Sequence, residues 1–152
     1  MNRWLCLWVA FMILLSLTGC ATTSPTYHAT ATSTNDAAIV SGTMTPLCSR
    51  KVAMQAVDYV YVGFWQAQSI STILVDPGQR VLSVKGQYIG FFTHGDACAD
   101  LKANLQAGCA YQIKVDLKKQ NMTFWVEDLA NHEAVSDRQT NQVSWMINFG
   151  GI

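Results

Sequence analysis

Charge is scarce in this chain. Charged side chains make up 13 % of the 152 residues, with ten Lys and Arg against ten Asp and Glu, so the formal net charge is zero. Residues 1–19 contribute only Arg3 to that count, and without them the balance is nine basic against ten acidic groups. A chain so balanced offers no clustered basic face, which sets nucleic acid aside as a partner. Catalytic signatures are missing as well: there is no G-x-S-x-G, no H-E-x-x-H, no phosphate-cradling glycine loop and no paired-cysteine redox motif. No internal repeat is visible. The expectation is a protein without catalytic residues, cofactor or metal, and not an enzyme. Long apolar runs are also lacking. The longest, Trp4 to Leu17, is interrupted only by Ser16, and its roughly 14 residues fall short of the ~20 that a spanning helix needs.

That run follows Met1-Asn2-Arg3 and ends in "LTGC", Leu17 to Cys20, the layout of a charged n-region, an apolar h-region and a small-residue cleavage site. Leu17-Thr18-Gly19-Cys20 resembles the lipobox of bacterial lipoproteins. The resemblance implies that the Cys20 thiol is alkylated by a diacylglycerol, that the chain is cut between Gly19 and Cys20, and that the new N-terminus is acylated. Residues 1–19 are then a lipoprotein signal peptide. Two or three acyl chains anchor stably where one does so only marginally. In lipoproteins of Gram-negative bacteria an Asp directly after the acylated Cys favours retention in the inner membrane. Ala21 and Thr22 stand there instead, which implies the periplasmic face of the outer membrane.

Residues 20–37 are dominated by Thr, Ser and Ala. Such a segment has little to bury against the entropy of ordering it and reads as a flexible tether. His28 within it has no assigned role. Residues 38–152 are enough for one domain with a modest core, and their dominant period is 2. In "CAYQIKVDL", Cys109, Tyr111, Ile113, Val115 and Leu117 share one face, as in a half-buried strand. Ala99, Leu101, Ala103 and Leu105 alternate likewise, and Gln106-Ala107-Gly108 reads as a hairpin turn joining the two. Helix is the competing reading for residues 97–107 on propensity, and the alternation favours strand. Met122, Phe124 and Val126 mark another strand, and further strands are read at residues 38–43, 51–65, 71–75 and 79–86. About seven short strands punctuated by turns predict an all-β fold, a single small antiparallel β-sandwich. Val143 to Phe149 could add an edge strand, whose apolar residues would complete the core or face a partner.

Two stretches are candidates for function. In "DYVYVGFW", Tyr59, Tyr61 and Trp65 alternate with Val60, Val62 and Phe64. The pattern gives either core with a bulge at Gly63 or a binding strip for a protein or glycan, which Phe91 and Phe92 would extend. In "THGDACAD", His94, Asp96, Cys98 and Asp100 occupy alternate positions, so imidazole, carboxylate and thiolate could face one way. A metal site normally draws ligands from a second segment. Only His132 and Glu133 offer themselves, so a polar loop feeding a strand is the preferred reading over a metal site or a Cys98–His94 nucleophile pair.

Of the five cysteines, the mature chain keeps Cys20, Cys48, Cys98 and Cys109. An oxidising compartment allows one bridge. A 97–117 hairpin would place Cys98 too far from Cys109 for a disulfide. If the strand from Lys51 runs antiparallel to that at 97–105, Cys48 shares a pole with Cys109, which makes Cys48–Cys109 the preferred pair and Cys48–Cys98 the alternative.

The succession "AIVSGT", "VAMQAVD", "LVDPGQRVLSV", "CADLKANLQAGCAYQIKV" and "FWVEDLANHEAV" resembles small bacterial lipoproteins with a transthyretin-like or PEGA-type sandwich. It spans roughly residues 38–136, with Arg80 where histidine is commoner in that pattern. These are fold signatures and imply structure, not activity. The expected function is that of a lipid-anchored, non-enzymatic binding or scaffolding domain, bound to the membrane through its N-terminal lipid and to a protein partner of the envelope. The alternative is a soluble-ligand or enzyme-inhibitor module similar to lysozyme inhibitors.

Overall fold

In a computed structural model of the chain, the described residues are 26–45, 50–63, 72–90 and 93–147. They form eleven strands: β1 (Ala38–Ser41), β2 (Thr43–Met44), β3 (Arg50–Val57), β4 (Val60–Tyr61), β5 (Thr72–Val75), β6 (Gly78–Ile89), β7 (Thr93–Leu105), β8 (Ala110–Lys118), β9 (Asn121–Asp128), β10 (Gln139–Gln142) and β11 (Ser144–Ile147). One sheet has the order β10-β9-β8-β1-β5, and the other β11-β7-β6-β3-β2 with β4 also on β3. All pairings are antiparallel except β1 with β8. The fold is the small β-sandwich that the alternation predicts.

The inner faces supply the core. Leu82 and Val84 of β6 and Ala99, Leu101, Ala103 and Leu105 of β7 face Tyr111, Ile113, Met122, Phe124 and Val126 of the other sheet, all buried. Gly86 of β6 lies under the Phe124 ring, where an added Cβ would come within 2.6 Å of it. A glycine here makes room for a large side chain across the sandwich.

At two places the chain passes directly from a strand of one sheet into a strand of the other. β1 continues through the buried Gly42 into β2, helped by Ser41 Oγ donating to the Tyr111 carbonyl at 3.2 Å and Thr43 Oγ1 donating to that of Ile113. On the far side β10 continues through Val143, 4 % exposed, into β11. The Val143 N–H donates to the Gln120 carbonyl at 2.8 Å.

The chain reverses differently from the sequence expectation in three places. Residues 106–108 do not make a hairpin: β7 pairs with β6 and β11 while β8 pairs with β9 and β1, so this turn crosses between sheets. The residues 51–65 are not one strand but a hairpin, β3 and β4, and the bulge falls between Met54 and Ala56, not at Gly63. The polar residues 93–96 are not a loop but the start of the thirteen-residue β7.

The segment 26–37, read from composition as part of the tether, is bound to the domain. Thr26 bridges Tyr61 in parallel, Tyr27 N donates to the Tyr61 carbonyl at 2.7 Å, and Gly108 N donates to that of Ala37 at 2.9 Å. Ala37 is fully buried. Composition registers how little this segment can bury but not the backbone partners that the sandwich offers it.

Candidate functional site

The pairings set the turns at Asp58–Tyr59, Asp76–Pro77, Gln106–Cys109 and Leu129–Asn131 at one pole of the sandwich. In one sheet Val57 pairs with Leu82 and Gly78 with Leu105; in the other Ala38 pairs with Val75 and Tyr111 with Asp128. The opposite pole carries the ends marked by Arg50 opposite Tyr88, Ile89 opposite His94, and Lys118 opposite Asn121.

At the first pole β3 and β4 are joined by Asp58 and Tyr59 alone, with φ of 48° and 64°. Two positive values are what a type I′ hairpin turn demands. Aspartate tolerates this conformation, whereas for a bulky side chain it is unusual. The turn is held from below. Asp58 N donates to the Val81 carbonyl at 2.8 Å, Val81 N donates to Asp58 Oδ1 at 2.8 Å, and Arg80 Nη1 donates to Asp58 Oδ2 at 2.9 Å. The same guanidinium donates to the carbonyls of Asp76 at 2.9 Å and Pro77 at 3.1 Å. Arg80 therefore joins two adjacent turns through its planar fork, a geometry lysine cannot reproduce.

Asp76 in turn pins the N-terminal segment. Its Oδ1 accepts from Thr30 N at 2.8 Å, Thr30 Oγ1 at 2.7 Å and Ala31 N at 3.1 Å, and its Oδ2 accepts from the Tyr27 hydroxyl at 3.2 Å. Burial pushes this carboxyl up, but the Thr30 hydroxyl, the two backbone N–H groups and Tyr27 outweigh it and hold Asp76 below the usual carboxylate range.

Of the proposed aromatic strip, Tyr59 is 72 % exposed and Tyr61 38 %, while Val62 is buried. The alternation thus separates a core side from a displayed one. Trp65, Phe91 and Phe92 lie outside the described residues.

His94, Asp96, Cys98 and Asp100 do share the outer face of β7, opposite Ile89, Gln87, Lys85 and Ser83 of β6. Lys85 Nζ lies 2.8 Å from Asp96 Oδ2, and Ser83 Oγ donates to Asp100 Oδ1 at 2.6 Å. His94 Nε2 is 2.9 Å from Asp96 Oδ1, near enough for an ion pair when protonated, yet no donor is aligned for a hydrogen bond to that oxygen. Burial acts to raise Asp96, but Lys85, His94 and Gln87 hold it low. A carboxylate already paired with a lysine is a poor free ligand. His94 and Cys98 are four residues apart on an extended strand, about 13 Å, so they form no nucleophile pair. His132 and Glu133 sit at the other pole, where His132 Nδ1 and Lys114 Nζ approach Glu127 Oε1 at 3.3 and 3.4 Å. Among the described residues no three His, Cys, Asp or Glu side chains converge as metal ligands.

The basis for the preferred disulfide fails. β3 and β7 both run antiparallel to β6, hence parallel to each other. Arg50, two residues beyond Cys48, then lies at the pole opposite Cys109. Cys98, exposed on the outer face, and Cys109, half-buried, are free thiols, and Cys48 lies outside the described residues.

Three features escaped the sequence reading. The Tyr111 hydroxyl accepts from Gln106 N at 2.9 Å, five residues upstream, bracing the sheet-to-sheet crossover as a tyrosine corner does. Arg138 stacks over the Trp125 ring at 4.5 Å. A cleft of about 650 Å³ lies where Lys102 and Asn104 meet the 134–137 segment. Only the first had a signal, the "AGCAY" spacing at 107–111. Compared with family models, curated proteins and solved structures, the chain matches none.

Proposed function

We propose that this protein is a lipid-anchored, non-enzymatic domain of the bacterial cell envelope, facing the periplasm from the outer membrane, that binds or scaffolds another envelope protein. The observation that carries this reading is Leu17-Thr18-Gly19-Cys20 at the end of an apolar run too short to span a bilayer. The sandwich supports it by its chemistry. At the pole opposite the Asp58–Tyr59 turn it displays Ile89, Trp145 and Met146, all exposed. Exposed aromatic side chains are the residue type that dominates protein contacts.

The test is in-cell crosslinking of tagged full-length protein, with mass spectrometry of captured material beside a Cys20→Ala control. One stoichiometric envelope partner, captured only when the anchor is intact, is the expected result. Well-folded, lipidated protein that captures nothing would remove the scaffolding role.

A further inference from the structure

The anchor and the fold meet at one pole. Thr26, the first described residue, is bridged in parallel to Tyr61. Only five residues separate it from Cys20. Six Cα steps reach at most about 20 Å even when fully extended. The sandwich is longer than that: β6 alone has twelve residues, about 36 Å at the rise of a strand. An anchored domain of this shape can bring only its near end to the bilayer. The Thr26–Tyr61 pairing sets that end, because Tyr61 lies two residues from Tyr59 and the backbone at Thr26 runs parallel to β4, away from the Asp58–Tyr59 turn.

What that turn presents is suited to an interface between water and lipid. Tyr59 is held at a φ of 64° and 72 % exposed, so its strain is not repaid by burial within the domain. Such uncompensated strain points to a role outside the fold. Tyr61 lies beside it, and Leu129, 39 % exposed, belongs to the same pole. Tyrosine rings combine an apolar body with a polar tip and concentrate at headgroup level. The acidic groups of the turns are occupied internally, Asp58 by Arg80 and Val81 N, Asp76 by Thr30, Ala31 and Tyr27. Among the described residues the turns of this pole hold no Lys or Arg, and the neighbouring Arg80 is tied to Asp58, so the partner it fits is an uncharged phospholipid surface, not an anionic one.

We propose that the Asp58–Tyr59 pole rests on the bilayer that holds the Cys20 lipid, with Tyr59 and Tyr61 in its headgroup layer. This rests on the lipid-anchor reading. Tethering raises the effective concentration of the surface, so a contact too weak to hold free protein suffices. The domain would then stand upright, with the Tyr88 pole offered to the periplasm.

The test uses full-length protein isolated from membranes, labelled with 3-fluorotyrosine and reconstituted in phosphatidylcholine vesicles carrying a headgroup nitroxide lipid. Fluorine spectra resolve the five tyrosines, assigned by Tyr→Phe variants, and mass spectrometry of the N-terminal peptide reads the lipid on Cys20. The expected result is selective loss of the Tyr59 and Tyr61 signals while Tyr88 persists. The same selectivity should survive, weakened, when about twenty Gly and Ser residues are inserted before Thr26, since a flexible linker of that length relaxes mere proximity. A lipidated protein whose Tyr59 and Tyr61 signals fade no more than that of Tyr88, or whose selectivity vanishes on insertion, overturns the contact and leaves the anchor standing. An unmodified Cys20 overturns both.

Discussion

Tyr59 occupies a position where glycine would cost less. In a type I′ turn the second central residue is best as glycine, and Asp-Gly is among the preferred pairs. Tyr59→Gly should therefore raise stability by about 0.5–1 kcal/mol despite the greater freedom of glycine in the unfolded chain, read as a higher urea midpoint with an unchanged slope. Asp76 makes the opposite kind of contribution. Its folded pKa lies below its ordinary value, so the stabilisation it lends to residues 26–31 is present above about pH 4 and fades as pH falls through the folded pKa. The amide resonances of Thr30 and Ala31 should shift over that acid range. In Asp76→Asn they should be flat there and already lie near their undocked positions at neutral pH.

Strands show what a single alternation pattern can hide. β6 alternates buried Leu82, Val84 and Gly86 with half-buried neighbours, and the glycine is part of the core because Phe124 fills the space above it. Gly86→Ala sets a Cβ 2.6 Å from that ring and should cost about 1–3 kcal/mol, as overpacking does, seen as a lowered melting temperature. The β7–β8 crossover depends on a polar contact instead. Tyr111 is 2 % exposed, and burial pushes its phenol up, so the hydroxyl stays protonated while accepting from Gln106 N. Tyr111→Phe leaves that N–H without its acceptor and should cost about 1–2 kcal/mol. Chemical denaturation measures it, and an unchanged midpoint would show that water replaces the hydroxyl. Neither partner is adjacent in sequence to the residue it serves, although the spacing from Gly108 to Tyr111 hinted at the second.

Across the whole molecule, the boundary of the domain is the point where composition and structure part. A chain beginning at Ala38 discards the Asp76 contacts, the Thr26–Tyr61 bridge and the buried Ala37. It should be less stable than one beginning at Thr26 by about 2 kcal/mol, counting a few partly exposed hydrogen bonds and some buried apolar area. Equal melting temperatures for the two would mean that residues 26–37 contribute nothing to the fold. Of the eighteen residues that composition assigns to a tether, 20–37, these contacts bring 26–37 into the domain.

Residues alone determined the period of 2 in residues 99–105, 109–117 and 122–126, because side chains of a strand with one buried face must alternate. They also carry the Leu17–Cys20 motif. Tertiary structure alone decided which strand lies beside which. Alternation says that a face is buried but not what covers it, and backbone hydrogen bonds are the same for every partner. The crossover at 106–108, the parallel sense of β3 and β7 that separates Arg50 from Cys109, the pairing of Asp96 with Lys85, and the seat of Tyr27 and Thr30 on Asp76 all depend on that choice. So does the display of Tyr59 at the pole where Thr26 bridges Tyr61.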